Sequence, residues 1–289
     1  MNLYNADYFQ RKDRFLEAKD NYSSAKVVIM GVPMDNTVSF RPGTRFGPRR
    51  IREVSHELED YSIYADDSLE NKMFFDAGDL DIPFGNVEKS LSIIGNTTKE
   101  LLDDGKTPIF LGGEHLITYP IVKQFIKKYP DLVVVHFDAH ADLRDSYLGE
   151  KLSHATVMRR ISEHIKRKHI YHFGIRSGIK EEFLYAKDYS HMNPLEVKRP
   201  FLDVIENLND FPLYITLDID VIDPAFAPGT GTPEPGGCDS KEILEVVSYF
   251  KSLNIVGFDL VEVSPANDSS ERTSLLAAKI IREVLLALG

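Results

Sequence analysis

The sequence predicts an α/β fold in which residues 1–289 form a single domain, with a mainly parallel sheet covered by helices on both faces. Short apolar runs typical of buried strands alternate with amphipathic segments of helical period along almost the whole chain. No linker, low-complexity tract or internal repeat interrupts this alternation. Clusters of ionisable residues follow several of the apolar runs, at the strand ends where open parallel sheets bind their ligands.

Six segments are predicted as strands, because each is a short apolar run next to turn residues. They are 26–33, 107–113, 132–138, 169–177, 213–222 and 254–263. Seven further segments have the apolar spacing of helices. They are 47–61, 87–105, 118–130, 153–165, 180–187, 239–253 and 274–288. The first helix carries Pro48 near its first turn, and the second stops at Gly105.

Composition limits the possible partners and compartments. The chain has 34 Lys and Arg against 45 Asp and Glu, a net charge of −11. This charge disfavours a nucleic acid or an anionic membrane as partner and favours a small cationic ligand. The single cysteine, Cys238, excludes an internal disulfide and a thiolate zinc site. No signal-peptide segment is visible, and no apolar stretch reaches the ~18 residues of a membrane span, so we expect a soluble, cytoplasmic protein.

Ionisable side chains gather after three of the apolar runs. In "VVVHFDAHADLRD" and "YITLDIDVIDP", Asp and His recur at every second position after the run. Alternate residues of an extended chain share a face, so these side chains can converge on one point. In "FLGGEH", two glycines let the chain turn sharply before a histidine. The six candidate metal ligands are His115, Asp138, His140, Asp142, Asp218 and Asp220.

Four carboxylates gathered at one place repel each other, and burying them uncompensated is prohibitive. Two divalent cations balance this charge, and bridging carboxylates can hold such ions ~3.5–4 Å apart. Oxygen and imidazole donors without sulfur suit Mn²⁺ better than a structural zinc ion. We therefore expect two Mn²⁺ ions per chain that generate hydroxide from bound water near neutral pH.

Each motif has an ordinary structural reading when it is taken alone. A single Asp at a strand end usually caps the next helix, and a lone histidine after Gly-Gly is usually a loop residue. We place His136 on the opposite face of its strand from Asp138, and expect it to be structural. The three motifs together, each after an apolar strand, are what predict the metal site.

Four segments carry a resemblance to a known family: "GGEHLIT", "HFDAHADLRD", "LDIDVIDPAFAPGTGTPEPGG" and "GFDLVEVSPANDSSERTSLLAAK". Together they resemble the ureohydrolase family of arginases, agmatinases and related hydrolases of guanidino compounds. The resemblance begins at "VPMDNTVSFRPGTRFGPRRIRE" and reaches the C-terminal helix. It implies the arginase/deacetylase fold, a three-layer α/β/α arrangement with a mainly parallel eight-stranded sheet. It also implies a dinuclear manganese centre held by the six candidate ligands, and a homo-oligomer, either trimer or hexamer.

Within the family, "RPGTRFGP", "GIRSG" and "APGTGTPEPGG" are most similar to agmatinase sequences. This implies hydrolysis of the guanidinium group of agmatine to urea and putrescine. The loop "LRDSYLGEKLSHAT" lacks the Asn and Ser with which arginases hold the amino-acid end of arginine. Its Arg144 and Lys151 could still meet a carboxylate, so an arginase or another guanidino-acid hydrolase, such as a guanidinobutyrase, stays an alternative.

Two rivals lie further away: a zinc deacetylase of the same fold and a non-catalytic binding protein. A deacetylase uses one metal, which would leave His115, Asp142 and Asp220 without a shared purpose. A binding protein that kept only the scaffold would not need every ligand position intact.

The resemblance also implies roles for two residues that contact the substrate. Glu262 matches the carboxylate that binds the guanidinium group, and His154 matches the histidine that shuttles protons, a task suited to the near-neutral pKa of an ordinary histidine. The alternatives are a structural ion pair for Glu262 and an exposed helix start for His154. Asp223 is predicted as a turn residue, and the roles of Arg176 and Glu234 stay open.

Overall fold

The computed structural model describes residues 9–10 and 14–289. The main element of this part of the chain is a nine-stranded sheet. The strands of these residues are β1 (Phe9–Gln10), β2 (Val27–Val32), β3 (Tyr61–Ser62), β4 (Asp67–Ser68), β5 (Phe74–Leu80), β6 (Thr107–Gly112), β7 (Val133–Phe137), β8 (Ile170–Ile175), β9 (His191–Pro194), β10 (Leu213–Asp218) and β11 (Ile255–Val261). The short strands β3 and β4 form a separate antiparallel ribbon.

The main sheet has the strand order β1-β5-β2-β6-β11-β10-β7-β8-β9. The eight strands from β5 to β9 in this order pair in parallel with their neighbours, and β1 lies at the edge, antiparallel to β5. The predicted eight-stranded, mainly parallel sheet is therefore confirmed, and β1 adds a ninth strand within the described residues.

Helices cover the sheet on both faces. Those in the described part of the chain are α1 (Gly47–Ser55), α2 (Val87–Asp103), α3 (Thr118–Lys128), α4 (Val157–Ser162), α5 (Lys180–Tyr189), α6 (Lys198–Leu208), α7 (Ser240–Ser248) and α8 (Arg272–Leu288). Helices α1, α6, α7 and α8 contribute to the apolar core on one face, and α2, α3, α4 and α5 to the core on the other. This is the three-layer α/β/α arrangement that the sequence predicts.

Strand β7 shows why the apolar runs are continuous rather than alternating. Val133 and Val135 belong to one core and Val134 to the other, and all three are buried. Parallel strands covered by helices on both faces need apolar residues at consecutive positions.

The segments predicted by apolar pattern alone do not include helix α6, strands β5 and β9, or the two-residue strands β1, β3 and β4. Strand β5 contains two buried acidic residues, which conceal its strand character. They are satisfied by Arg52, only 1% exposed, which donates to both oxygens of Asp76 at 2.8 and 2.9 Å and to Asp79 at 2.5 Å. Strand β9 has only four residues and ends in a proline.

Three predicted helices are shorter than expected. Helix α1 ends at Ser55, and the segment 239–253 divides into α7 and the 3₁₀ turn Tyr249–Ser252. The segment 153–165 begins as the 3₁₀ turn His154–Thr156, which leads into α4. Among the described residues we find no helix with the length and apolar character needed to cross a bilayer.

Strands β6, β11, β10 and β7 are neighbours in the middle of the sheet. Because they are parallel, their carboxyl ends open at the same edge. All six candidate ligands and Glu262 lie at or just beyond these four ends.

Candidate active site

The ends of the four central strands deliver the predicted site residues to one place. His115 begins a 3₁₀ turn after β6, and Glu262 follows β11 directly. Asp218 is the last residue of β10, with Asp220 in the next turn. The remaining three ligands, Asp138, His140 and Asp142, follow β7.

A first cluster surrounds one nitrogen of His115. Its Nδ1 lies 3.1 Å from Asp138 Oδ2, 3.2 Å from Asp142 Oδ2 and 3.5 Å from Asp218 Oδ2. All four side chains are buried. One imidazole nitrogen is thus ringed by three carboxylate oxygens.

A second cluster lies around His140. Its Nδ1 is 2.9 Å from Asp220 Oδ2 and 3.6 Å from Asp138 Oδ1. Asp138 therefore presents one oxygen to each cluster. Metal-ligand spacing is found in two groups that share Asp138: His115, His136, Asp138 and Asp142, and Asp138, His140 and Asp220. A carboxylate shared in this way is suited to bridge two cations.

Backbone amides orient three of these carboxylates. Each uses one oxygen to accept from a main-chain N–H: Asp138 from His140 at 2.6 Å, Asp218 from Asp220 at 2.8 Å, and Asp220 from Ala139 at 3.0 Å. The Oδ2 atoms of Asp218 and Asp220 are left to face their clusters, whereas Oδ2 of Asp138 faces both His115 and His136. The last bond also ties the segment after β7 to the turn after β10.

The ring of His115 is oriented by a buried polar network. Asp259 accepts from Thr118 Oγ1 at 2.9 Å and from the Tyr214 hydroxyl at 2.6 Å. It also accepts from Thr216 Oγ1 at 2.5 Å, and Thr216 Oγ1 lies 2.9 Å from His115 Nε2. Because Thr216 gives its only proton to Asp259, it accepts from His115 Nε2–H. This tautomer leaves the lone pair of Nδ1 facing the carboxylates.

The donor set fits divalent cations. His115 Nδ1 and Asp220 Oδ2 are buried without a hydrogen-bond partner among the residues that the structure describes. No Lys or Arg in that part of the chain pairs with Asp138, Asp142, Asp218 or Asp220. Carboxylates and imidazoles without thiolate are donors for ions such as Mn²⁺. One cation in each cluster would satisfy both orphaned atoms.

The pKa values show the cost of this arrangement without cations. Burial and the charge of Asp138 raise the pKa of Asp142 to about 7, and burial and the charge of Asp220 raise the pKa of Asp218 well above its ordinary value. Burial lowers the pKa of His115, but hydrogen bonds to Asp138 and Asp142 outweigh it and raise this pKa well above 6.5. A proton and a cation therefore compete for the same lone pair.

Glu262 lines a cavity of about 220 Å³. Its backbone is left-handed, with φ of 64°, at the point where β11 ends. Its Oε1 accepts from the backbone N–H of His115 at 2.7 Å, whereas Oε2 has no hydrogen-bond partner within residues 9–10 and 14–289. Burial raises the pKa of Glu262 to about 8. A cation bound beside Oε2 would favour the ionised form.

His154 lies in the wall of the same cavity. Its Nε2 is 3.4 Å from Ser39 Oγ, its Nδ1 is 3.3 Å from Ser153 Oγ, and its ring stands edge-on to Tyr147 at 5.6 Å. Burial lowers its pKa to about 4, below the near-neutral value of an ordinary histidine. At neutral pH the imidazole is uncharged and can accept a proton.

The prediction that His136 faces away from Asp138 is wrong. The two residues are two positions apart, so strand alternation puts them on the same face. His136 Nε2 lies 2.8 Å from Asp138 Oδ2, and its Nδ1 lies 2.8 Å from Nδ1 of the buried His172. The spacing by two, applied correctly, would have placed His136 beside the metal ligands.

Arg176 acts on backbone rather than on substrate. Its guanidinium donates to the carbonyl oxygens of Gly174, Asp220, Val221 and Glu234 at 2.6 to 3.2 Å. It thereby holds the turn that carries Asp220.

Four other side chains complete the account. The Asp223 carboxylate accepts from the amides of Ala225, Gly236 and Gly237, as its predicted turn role requires. Arg144 lines the cavity, with Nε 3.6 Å from Glu182 Oε2, whereas Lys151 is exposed. Cys238 is buried, and burial raises the pKa of its thiol.

Sequence reasoning missed the residues that act through the ligands: Thr216 and Asp259 behind His115, and Glu114 beside it. Thr216 stands two positions before Asp218 on the same strand face, a signal that the alternation rule could have used. The link from Asp259 to Thr216 crosses from β11 to β10, so it depends on strand order.

Comparison with known proteins agrees with this geometry. The sequence profile of the arginase family matches residues 25–287. An agmatinase of Halalkalibacterium halodurans is 52% identical over 275 residues, covering 94% of this chain and 95% of that protein. A guanidinobutyrase of Pseudomonas aeruginosa is 36% identical over 277 residues, covering 90% of this chain and 85% of the relative. The crystal structure of the agmatine ureohydrolase of Thermoplasma volcanium superimposes with a TM-score of 0.86 at 35% identity, covering 96% of this chain and 94% of that one.

The shared carboxylate of Asp138 leads to a metal-binding prediction. Asp138→Asn should weaken cation binding in both clusters by at least ~10-fold, whereas Asp142→Asn should weaken it only in the cluster around His115. Metal content after dialysis, measured by plasma mass spectrometry, separates the two variants. Asp223→Asn, a turn carboxylate outside both clusters, is the matched control. A full metal complement in Asp138→Asn would contradict the shared role.

Proposed function

The chain belongs to the arginase family of hydrolases, which act on guanidino C–N bonds, and we propose that it acts on agmatine and releases urea and putrescine. The observation that carries the proposal is the cavity that joins two clusters of buried metal-type ligands to a buried carboxylate, Glu262. Relatives named agmatinase at 50–52% identity support agmatine as the substrate.

We assign two Mn²⁺ ions to the two clusters. One ion would be held by His115, Asp142 and Asp218, and the other by His140 and Asp220. Asp138 would contribute to both sites. When bound, such ions supply a strongly nucleophilic water near neutral pH and stabilise the charge that develops as the guanidinium carbon is attacked. The orphaned atoms His115 Nδ1 and Asp220 Oδ2 support this assignment.

Glu262 binds the guanidinium group in this proposal. An alkyl guanidinium stays protonated at neutral pH and needs a carboxylate where it is buried. Oε1 of Glu262 is held by the amide of His115, which leaves Oε2 to accept from the substrate. Because Glu262 follows β11, the guanidinium is presented next to the ligands that follow β6 and β10.

His154 moves protons between the attacking water and the leaving amine. Its low pKa of about 4, caused by burial, keeps the imidazole neutral and able to accept a proton at Nε2. The same low pKa makes the protonated ring a strong acid towards the departing amine. Ser39 and Ser153 lie beside the two ring nitrogens and keep the ring in the cavity wall.

A guanidino acid is the second candidate substrate, because Arg144 lines the cavity. The charge of Arg144 is opposed by Glu182, 3.6 Å away, so the wall carries no excess positive charge from this pair. We therefore favour agmatine, whose far end is a cation, over substrates that end in a carboxylate. We also infer a cytoplasmic homo-oligomer, trimer or hexamer, on the single cysteine and the family resemblance.

A substrate panel tests the proposed function. Manganese-loaded protein should release urea from agmatine with a kcat/KM at least ~100-fold above that for L-arginine or 4-guanidinobutyrate. The reason is that the carboxylate of either competitor would lie in the cavity without a free cationic partner. Urea is measured colorimetrically at matched concentrations. A preference for 4-guanidinobutyrate would move the assignment to the second candidate, and no urea from any of the three would reject it.

Two substitutions separate the proposed roles. His154→Asn should lower kcat for agmatine by roughly 10²–10³-fold with KM within about threefold, because it removes proton transfer but not binding. Glu262→Gln should raise KM by about 30- to 100-fold, because the neutral amide still accepts from the His115 N–H but no longer pairs with a cation. Steady-state urea release measures both. Full turnover in His154→Asn would disprove the shuttle role.

A further inference from the structure

Glu114, which directly precedes His115, binds a loop from a distant part of the chain. Its side chain is fully buried. Oε1 accepts from the amide of Asn36 at 3.0 Å, and Oε2 accepts from the amide of Thr37 at 2.9 Å and from the Thr37 hydroxyl. One carboxylate thus fixes the backbone and one side chain of the loop that follows β2.

Gly113 brings this loop close enough to be bound. The Gly113 amide donates to Val32 O at 3.0 Å, and the Glu114 amide donates to Met34 O at 2.6 Å. A Cβ added at Gly113 would lie 1.8 Å from Met34 O, so a side chain at this position would force the loop away. The loop and the turn that carries His115 are therefore held as one unit.

Thr37 connects this unit to His154. The backbone N–H of His154 donates to Thr37 Oγ1 at 3.0 Å. An amide can only donate, so Thr37 Oγ1 is the acceptor whichever partner its own proton meets. The same loop also touches the ring, because Ser39 Oγ lies 3.4 Å from His154 Nε2. The loop therefore contacts His154 at both its backbone and its imidazole.

We propose that Glu114 and Thr37 are a positioning pair, which places the imidazole of His154 relative to His115, the ligand that follows β6. Neither residue contacts the substrate in this account. The proposal rests on the proposed proton transfer by His154, and it adds the residues that make the transfer efficient. A small displacement of a proton-transfer group slows turnover without changing affinity for the substrate.

Thr37→Val and Thr37→Ser form a matched pair for the test, because valine keeps the shape and serine keeps the hydroxyl. Thr37→Val should lower kcat for agmatine by about 10- to 100-fold, with KM within about twofold and manganese content unchanged. Thr37→Ser should restore kcat to within about threefold of the wild type. A general loss of structure would affect both variants, their metal content and their KM.

A double-mutant cycle shows whether Thr37 acts through His154. Added to His154→Asn, Thr37→Val should cause little further loss of kcat, because the group it positions is already gone. If Thr37→Val lowered kcat by the same factor in the wild type and in His154→Asn, the proposal would be overturned. It would also be overturned by a Thr37→Val variant with the kcat of the wild type, or by equal losses in the valine and serine variants.

Amide hydrogen exchange provides a readout that does not need the reaction. In manganese-loaded protein, the peptide that contains His154 should exchange at least ~10-fold faster in Thr37→Val than in the wild type or Thr37→Ser, because its amide loses an acceptor. Unchanged exchange would reject the pair as a positioning device. If the wild type released no urea while this difference persisted, the proposed function would fail and the positioning of His154 would stand.

Discussion

Mutual repulsion among four carboxylates is the constraint on which the rest of this structure depends. The β7 and β10 motifs bring Asp138, Asp142, Asp218 and Asp220 into a space where His115 and His140 meet them. Among the described residues, no Lys or Arg forms an ion pair with these carboxylates. Charge of this kind is tolerated in a protein interior only when cations compensate it. The fold therefore maintains a high-energy arrangement that two divalent ions would relieve.

The parallel sheet provides the rigidity for this arrangement. Strands covered by helices on both faces bury apolar residues on each face, so their ends cannot shift without exposing core residues. Backbone amides then orient the carboxylates, as the bonds from Ala139 to Asp220 and from His140 to Asp138 show. Polar residues outside the two clusters also orient the ligands. Asp259 acts on His115 through Thr216, and Arg176 holds the carbonyl of Asp220. Ligand geometry is in this way tied to the core.

The sequence predicted what depends on local periodicity and missed what depends on distant contacts. Spacing by two after an apolar run identified the ligands after β7 and β10, and the structure brings them together. The same rule was misapplied to His136. Strand β5 was missed because Asp76 and Asp79 conceal a strand that only its contact with Arg52 explains. Thr37 and Glu114 are 77 positions apart, so no local pattern could have joined them.

A crystal structure of the manganese-loaded protein, with anomalous scattering recorded at the manganese edge, tests the central claim most directly. We expect two anomalous peaks, one beside His115 Nδ1 and the other beside His140 Nδ1, with the Asp138 carboxylate between them. A single peak, or none, with these side chains well ordered in their present positions would contradict it.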